Sequence, residues 1–540
     1  MDSTDIFEED YKDGEESESE DEDELGFMED MEIDSDGRGR TDGKNEEMKL
    51  GISVSQAKAN YETAGSEVNE EEDRITIADN IHLMNLEVDE ILDKVVHKIQ
   101  MPYKPAEFQR VAINALGGME NVVLISPTGS GKMNVPLLAT LVLREKLGIS
   151  KGVCIVTQPL SSIMNQKMKN DVCQAAVLSM AGELTTSTGC DEDASLSCNL
   201  NELLNGSFPV LFGHPESFDS KLGQHILREL QKLDRLICIC IDEFHQGGEG
   251  HWNTFRPSMM RGSAGLRLYG IKNCPTLAMT ATATCNEIKE VVTAMGLRTP
   301  PVILTSSPIQ THIKFSMVRR PSNNFGLDGS TNAKGEKKAG LMDLLQCVYL
   351  QMYLEDLDKG RKPKKCIIFC RGNGVLGAIY SRLMELTKYK YSDCRDSPFV
   401  MNHSCLLPPT EKVLADRAPE ISLYLSSNKM LLGIDLAEID IIIFLRPYNQ
   451  PAALVQGGGR GGRRLENGKR RRVQVYQFYN SQDFTSQNKM MSPDMKRICL
   501  SEECTRNLLK EYFVGDEGQN ESGDEVKRHC CHNCDRQVAS

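Results

Sequence analysis

The segment from Asn121 to Met133, NVVLISPTGSGKM, constrains the fold of this chain more than any other. Its apolar run predicts a buried strand, a glycine-rich turn follows at once, and a helix is predicted from Met133 to Leu147. This order is typical of a phosphate-binding loop, and an accidental glycine-rich turn is the less favoured alternative. The phosphates of ATP are expected among the backbone amides of Thr128, Gly129, Ser130, Gly131 and Lys132, with the Lys132 ammonium at the β and γ phosphates.

The residue after this lysine departs from the usual pattern. Phosphate-binding loops normally carry serine or threonine there, because the hydroxyl joins the ligand shell of Mg²⁺. Met133 occupies the position, and a thioether is a poor ligand for a hard cation. We therefore expect Met133 to lie at the ATP site, nucleotide binding to persist and hydrolysis to be slow.

A second apolar run, LICICIDEFH, delivers two carboxylates at the end of a predicted strand. Asp242 is expected to hold Mg²⁺ through water, and Glu243 to polarise the attacking water. An Asp-Glu pair at a strand end usually has a structural role when it occurs alone. Together with the phosphate-binding loop, it specifically indicates an ATP site. Upstream of the loop, Gln109 has an amide that suits the adenine edge, although a surface glutamine is the alternative.

Apolar runs alternate with helix-like segments along most of the chain, which predicts an α/β fold with parallel sheets covered by helices. One set includes NVVLIS, GVCIVTQ, FPVLFG, LICICID and PTLAMTA; a second includes KKCIIFC, ISLYLSS, IDIIIFL and RVQVYQFY. The expected units are a first lobe at 73–310, a second lobe at 311–490 and a small C-terminal unit at 491–540. An amphipathic helix from Ile75 to Ile99 should pack on the first lobe.

The formal charge of −16 is unevenly distributed. Residues 1–50 contain 22 acidic and 5 basic residues, a balance of −17, so the remainder is close to neutral. A polar, acidic, aromatic-poor stretch buries too little apolar surface to fold, so residues 1–72 are predicted to be a disordered tail. The tail either solubilises the protein or docks a basic protein partner. Without a secretory signal or a long apolar run, the 18 cysteines are expected to be reduced, and no membrane partner is expected.

The string QGGGRGGR places two arginines three residues apart in the second lobe. Arg460 and Arg463 can therefore point the same way, and their planar guanidinium groups suit a phosphate that gains charge during transfer. The alternative is a solvated basic turn or a nucleic-acid-binding segment. Coupling of the ATP site to lobe position is assigned to His245, Gln456 and Asp435.

Together these strings resemble the superfamily-2 helicases, and in detail the RecQ family. The resemblance covers about residues 100 to 535 and rests on VTQPLSSIMNQ, FGHPESF, LAMTATAT, IIFCRGNG and QGGGRGGR. A DEAD-box RNA helicase would be expected to show Ser-Ala-Thr in place of TAT. The resemblance implies two tandem RecA-like P-loop lobes, ATP with Mg²⁺, single-stranded DNA lying across both lobes, 3′ to 5′ translocation and a nuclear location.

QGGEGHWNTFRP resembles the aromatic-rich loop of the RecQ family, which is implied to contact single-stranded DNA. Trp252 and Phe255 offer stacking area and Arg256 adds a cation, a combination that binds bases by their π faces. The spacing departs from the family pattern, and a core role for the two aromatic residues is the alternative.

The C-terminal cysteines resemble the RecQ zinc-binding region. Cys504, Cys531 and Cys534 are expected zinc ligands, but the usual last ligand falls on Gln537, which cannot supply a thiolate. The candidates for the fourth ligand are His529, Cys530 and His532. A tail of free thiols is the alternative.

These observations predict an ATP-dependent DNA helicase that acts on single-stranded and forked duplex DNA. Met133, the incomplete zinc set and Gly457, which replaces the acidic residue usual in the family, favour a rival: a catalytically weak DNA-binding scaffold. An RNA helicase is a third possibility. Because no duplex-splitting domain follows the C-terminal unit, we expect a minimal motor or a shortened product.

Overall fold

A computed structural model describes the chain over the following ranges: 54–68, 76–77, 86–158, 175–179, 183–187, 195–244, 274–294, 301–307, 309–320, 330–331, 337–338, 340–388, 390–391, 396–403, 405–406, 410, 413–414, 416–427, 438–462, 470–485, 490–514 and 530–539. Within these ranges, no helix combines the length and the apolar character needed to cross a bilayer.

The first lobe is built on a sheet that is parallel at its centre. The strands up to the join between the lobes are β1 (Glu67–Val68), β2 (Thr76–Ile77), β3 (Val122–Ile125), β4 (Val153–Thr157), β5 (Ala175–Leu178), β6 (Leu184–Ser187), β7 (Ser195–Ser197), β8 (Val210–Gly213), β9 (Leu236–Asp242), β10 (Thr276–Thr280) and β11 (Val302–Thr305). The sheet order is β2-β11-β3-β10-β9-β4-β8-β5-β6-β7. The strands from β11 to β5 run parallel, so their carboxyl ends share one edge.

Helices cover both faces of this sheet. In chain order the helices up to the join are α1 (Val54–Thr63), α2 (Leu86–Lys98), α3 (Glu107–Gly117), α4 (Asn134–Leu147), α5 (Leu200–Leu204), α6 (Pro215–Asp219), α7 (Lys221–Lys232) and α8 (Cys285–Ala294). Val88, Leu92 and Val95 on α2 are buried in the first-lobe core, as the periodicity predicts. The predicted helix nevertheless begins at Leu86 and not at Ile75, because Thr76 and Ile77 pair with β11. A strand contact so distant in sequence leaves no local signal.

The second lobe has a parallel sheet of its own. Its strands and the neighbouring short strands are β12 (Ile313–Arg319), β13 (Ser330–Thr331), β14 (Lys337–Lys338), β15 (Cys366–Phe369), β16 (Phe399–Asn402), β17 (Leu423–Ser426), β18 (Ile441–Phe444), β19 (Arg470–Arg471) and β20 (Val473–Tyr479). The sheet order is β12-β20-β18-β15-β17-β16, with every neighbouring pair parallel. The prediction of an α/β fold with two parallel sheets is confirmed.

The helices of this second half lie on the sheet and continue into the C-terminal unit. They are α9 (Leu341–Leu345), a π-helix (Gln346–Leu350), α10 (Gln351–Asp358), α11 (Asn373–Thr387), α12 (Pro451–Gly458), a 3-10 helix (Ser481–Phe484), α13 (Pro493–Leu500), α14 (Thr505–Val514) and α15 (His532–Ala539). The buried thiols of the C-terminal unit belong to the same apolar cluster as the inner strands of the second sheet. This unit is therefore packed onto the second lobe.

Residues 54–68 correct the prediction of a tail that is disordered up to residue 72. Helix α1 buries Ala57, Tyr61 and Ala64 in the second-lobe core, and β1 pairs with β19. The Tyr61 hydroxyl donates to Asp356 Oδ2 at 2.9 Å. Composition averaged over the acidic segment hides this short apolar face, which is stabilised by packing on the distant second lobe. Residues 1–53 lie outside the described residues.

Candidate nucleotide-binding site

The loop at residues 126–132 connects β3 to α4 at the carboxyl edge of the first sheet. Gly129 and Gly131 have φ angles of +79° and +88°, a left-handed conformation that residues with a Cβ rarely adopt. These turns let successive backbone amides face one concavity, which suits phosphate oxygens. Lys132 is only 8% exposed, so its ammonium is held within the site and not in bulk water.

The two predicted carboxylates lie on the same edge, because β9 is separated from β3 only by β10. Asp242 is 2% exposed. Burial and the neighbouring Glu243 carboxylate raise the pKa of Asp242 to about 7, and the nearby positive charge of Lys132 opposes that rise. The structure thus brings Lys132, Asp242 and Glu243 close enough for their charges to interact.

Gln158 is a site residue that the sequence analysis missed. Its amide Nε2 donates to Asp242 Oδ2 at 2.9 Å, and both side chains are buried. Asp242 Oδ1 is buried and has no hydrogen-bond partner among the described residues. A buried carboxylate oxygen without a donor fits a hydrated cation such as Mg²⁺. The available signal was position, since Gln158 directly follows buried strand β4 at the same edge.

Met133 packs against the first-lobe core at the start of α4. The next residue, Asn134, donates its side-chain amide to the Tyr103 hydroxyl. Neither residue supplies the hydroxyl that the usual pattern places at the magnesium site.

Gln109 lies beside the phosphate-binding loop with both ends of its amide engaged. Its Nε2 donates to Gly131 O at 2.8 Å, and its Oε1 accepts from Ala106 N at 2.8 Å. The side chain is 2% exposed, so it is not a surface glutamine. It ties the start of α3 to the loop, and its contact with adenine stays a prediction.

A line of polar contacts connects the carboxylate group to the second lobe. The Thr280 hydroxyl donates to Glu243 Oε2 at 3.1 Å and accepts from Thr282 N at 3.2 Å. The Thr282 hydroxyl in turn accepts from Gln456 Nε2 of α12 at 2.9 Å, and this contact is buried. The structure thus brings Gln456, one of the predicted coupling residues, to the TAT segment of the first lobe.

Arg460 reaches the same group from the second lobe. Burial lowers the pKa of its guanidinium to about 10, against the opposing effect of the nearby Glu243 carboxylate. The preceding Gly459 lies against the phosphate-binding loop, since a Cβ there would be 3.1 Å from Thr128 Cβ. Arg460 is therefore buried close to the Glu243 carboxylate, directly after a glycine that lies against the phosphate-binding loop.

Several predicted residues lie outside the described residues, so their placement stays a prediction: Arg463, Asp435, His245, Trp252, Phe255, Arg256 and His529.

The predicted zinc ligands converge at the C-terminus. The thiols of Cys504, Cys530, Cys531 and Cys534 lie within 4.8 Å of one another, which makes Cys530 the fourth member of the cluster. Contacts with the Cys504 and Cys530 thiols lower the pKa of the Cys531 thiol well below its usual range. His532, another candidate, has a different contact: its Nδ1 accepts from Met317 N at 3.2 Å.

His312 is buried beside Arg506, in the segment that joins β11 to β12. Burial, Arg470 and Arg506 lower its pKa from 6.5 to about 3. On acidification the unfolded chain takes up this proton before the folded chain does. The stabilising contribution is therefore complete above pH 6.5 and is lost as the pH falls towards 3.

We expect His312→Asn to make the protein less sensitive to acid. Between about pH 6.5 and pH 4, its free energy of unfolding should fall by roughly 3 kcal/mol less than that of the wild type. Denaturant unfolding at a series of pH values measures this difference in slope. His225→Asn, at an exposed position on α7, is the matched control. Parallel pH profiles for the wild type and His312→Asn would contradict the prediction.

The chain is similar to known helicases. Residues 106–291 match the family described as DEAD/DEAH box helicase. The chain is 28% identical over 218 residues to ATP-dependent DNA helicase Q-like 5 of Arabidopsis thaliana, covering 40% of this chain and 22% of that protein. It is 27% identical over 184 residues to ATP-dependent DNA helicase Q5 of Mus musculus, covering 34% of this chain and 17% of that protein. The resemblance to RecQ-like helicases is confirmed, although the matches span less than a quarter of these relatives.

Solved helicase structures share the fold. The DUF1998 helicase MrfA bound to DNA superposes with a TM-score of 0.57 at 15% identity, covering 85% of this chain and 55% of that one. Helicase Lhr of Mycobacterium smegmatis, bound to single-stranded DNA and AMP-PNP, gives a TM-score of 0.51 at 16% identity, covering 73% and 48%. These similarities concern the fold of the paired helicase lobes.

Proposed function

We propose that this chain is an ATP-dependent DNA helicase of RecQ type that translocates 3′ to 5′ and unwinds forked duplexes. The observation that carries the proposal is the approach of Arg460 and Gln456, from the second lobe, to Glu243 and Thr282 of the first. A site completed by both lobes links the presence of a γ-phosphate to the distance between the lobes. That link is what a translocating motor requires.

Each described side chain has a part in this chemistry. Lys132 neutralises the β and γ phosphates, and Asp242 would hold hydrated Mg²⁺ through the carboxylate oxygen that has no hydrogen-bond partner among the described residues. Glu243, oriented by Thr280, takes up the proton of the attacking water. Arg460, with Arg463 as the proposed second arginine, stabilises charge on the transferred phosphate. Mg²⁺ supplies electrostatic stabilisation of the bridging and terminal phosphate oxygens when ATP is bound.

DNA as the nucleic-acid partner is supported by the DNA helicases that the chain resembles. We assign Trp252, Phe255 and Arg256 to base stacking, His245 and Asp435 to coupling, and a nuclear location to the protein. Phosphate release with single-stranded DNA, with RNA of the same sequence and without nucleic acid tests this assignment. DNA stimulation supports the proposal, stronger stimulation by RNA favours an RNA helicase, and DNA binding without turnover favours the scaffold.

Polarity requires its own measurement. Two partial duplexes with the same paired region, one carrying a 3′ single-stranded extension and one a 5′ extension, present opposite loading strands. We expect strand separation only from the substrate with the 3′ extension. Separation of the 5′ substrate alone would overturn the proposed direction.

We also propose that the cysteine cluster binds zinc. Sγ–Sγ distances of 3.3 Å (Cys504–Cys530), 3.6 Å (Cys531–Cys534) and 4.0 Å (Cys504–Cys531) bracket the separation of about 3.8 Å that a tetrahedral zinc–thiolate site requires. Four thiolates form a closed structural site, with no position left open for a reaction.

Purified protein should contain about one zinc ion per chain. Cys531→Ser should lower that content and destabilise the unit formed by α14 and α15, because metal binding contributes folding energy to such a site. Elemental analysis combined with limited proteolysis of the C-terminal unit measures both effects. Cys405→Ser, at an exposed thiol outside the cluster, is the control, and a zinc-free wild-type protein would refute the assignment.

A further inference from the structure

Arg506 connects the cysteine cluster to the segment that joins the two lobes. Its Nε donates to Cys530 Sγ at 3.3 Å. On the other side of the guanidinium, Nη1 donates to Gln310 O at 2.9 Å, and Nη2 donates to Thr311 O at 3.2 Å and Ile313 O at 2.7 Å. The residue is 3% exposed. A guanidinium so deeply buried depends on these four acceptors, and the Cys530 sulfur is the one that also belongs to the cysteine cluster.

Gln310 carries the connection on to the nucleotide site. It lies between β11 of the first sheet and β12 of the second, and it is 3% exposed. Its side-chain Nε2 donates to Thr128 O at 3.2 Å. Thr128 belongs to the phosphate-binding loop, so one side chain joins the segment held by Arg506 to the backbone that receives phosphate.

We propose that Arg506 and Gln310 are positioning residues through which metal loading of the cysteine cluster sets the affinity of the phosphate-binding loop for nucleotide. Loading holds Cys530 as a metal-bound thiolate, which fixes Arg506 and hence the backbone at Gln310. Loss of the metal frees the Cys530 side chain, and with it Arg506, which releases the restraint that Gln310 places on Thr128. The inference rests on the proposed ATP and zinc sites and goes beyond both by coupling them.

Coupling of this kind is reciprocal, because the two ligands share one thermodynamic cycle. If zinc strengthens ADP binding by some factor, bound ADP must strengthen zinc binding by the same factor. A purely structural role for the cysteine cluster does not require the link to run through the Gln310 amide. The Gln310 side chain is therefore the discriminating position.

The test uses the full chain and the variant Gln310→Met, which removes the amide donor and keeps the backbone carbonyl that Arg506 binds. A fluorescent ADP analogue is titrated into zinc-loaded and chelator-stripped forms of both proteins. We expect stripping to weaken ADP binding roughly tenfold in the wild type, within the usual range of allosteric coupling. Zinc-loaded Gln310→Met should already show that weaker binding, and stripping it should change the affinity less than about twofold.

Zinc release supplies a readout that does not depend on catalysis. ADP should slow the transfer of zinc to a colorimetric chelator in the wild type and have little effect in Gln310→Met. Gln224→Met on α7, whose amide contacts Asp219 O, controls for the substitution itself, and a cooperative melt verifies that Gln310→Met is folded.

Equal weakening on stripping in both proteins, or no weakening in the wild type, would overturn the coupling. A protein that binds ADP but holds no zinc would also overturn it. Failure of the proposed motor would be seen in a separate measurement. The wild-type protein would then show no ATP turnover, although its ADP and zinc titrations would still show the expected coupling.

Discussion

Lys132→Ala should lower ATP turnover by roughly a thousandfold or more, equivalent to about 4 kcal/mol of transition-state stabilisation. Lys132 is the buried ammonium of the phosphate-binding loop, and its charge lies close enough to Asp242 to oppose the rise in that carboxyl's pKa. Removing it leaves the β and γ phosphates without one of their positive partners and removes the nearby positive charge that acts on Asp242. Single-stranded DNA binding should be largely retained, because the strand does not require the γ-phosphate contact.

Steady-state phosphate release at saturating ATP and DNA measures the first effect, and fluorescence anisotropy of a labelled oligonucleotide measures the second. Lys221→Ala, at an exposed position on α7, is the matched control. Undiminished ATP turnover in Lys132→Ala would contradict the proposal that this chain is an ATP-driven motor. Loss of DNA binding in the same variant would show that the substitution disturbs more than the nucleotide site.

The sequence was most informative where function depends on chain order. The phosphate-binding loop and the DEFH segment each follow a buried strand, and parallel strands bring their carboxyl ends to one edge. The sequence alone therefore predicts that Lys132, Asp242 and Glu243 lie together. Cys531 and Cys534 can also be predicted as metal ligands from the sequence, because C-x-x-C spacing is typical of zinc sites.

Sequence patterns do not predict contacts between distant segments. Gln158, Gln310 and Arg506 have no distinctive spacing, and each acquires its role from a partner in another element. Helix α1 was missed for the same reason, since its short apolar face is stabilised by the second-lobe core. The choice of Cys530 as the fourth thiol likewise follows from how α14 and α15 pack, which the spacing alone left open.

Met133→Thr should raise the rate of ATP hydrolysis by about 5- to 150-fold, corresponding to roughly 1 to 3 kcal/mol for one restored ligand, by analogy with a hydrogen bond to a charged group. The Met133 side chain packs on the first-lobe core, and the Asn134 amide is engaged by Tyr103. A threonine hydroxyl at position 133 would restore the usual oxygen ligand beside Lys132. The gain should appear in kcat more than in nucleotide affinity, because the backbone amides and Lys132 that bind the phosphates are unchanged.

Met133→Val is the decisive control, since valine has nearly the shape of threonine but no hydroxyl. Both variants lose the same core packing, so their difference in phosphate release at saturating Mg²⁺ isolates the ligand. Met133→Thr should release phosphate faster than both Met133→Val and the wild type, and it should reach its half-maximal rate at a lower Mg²⁺ concentration. Equal rates for threonine and valine, with Lys132→Ala still inactive, would show that another group holds the cation. The amide oxygen of Gln158 is then the first candidate, because it is buried beside Asp242 and has no hydrogen-bond partner among the described residues.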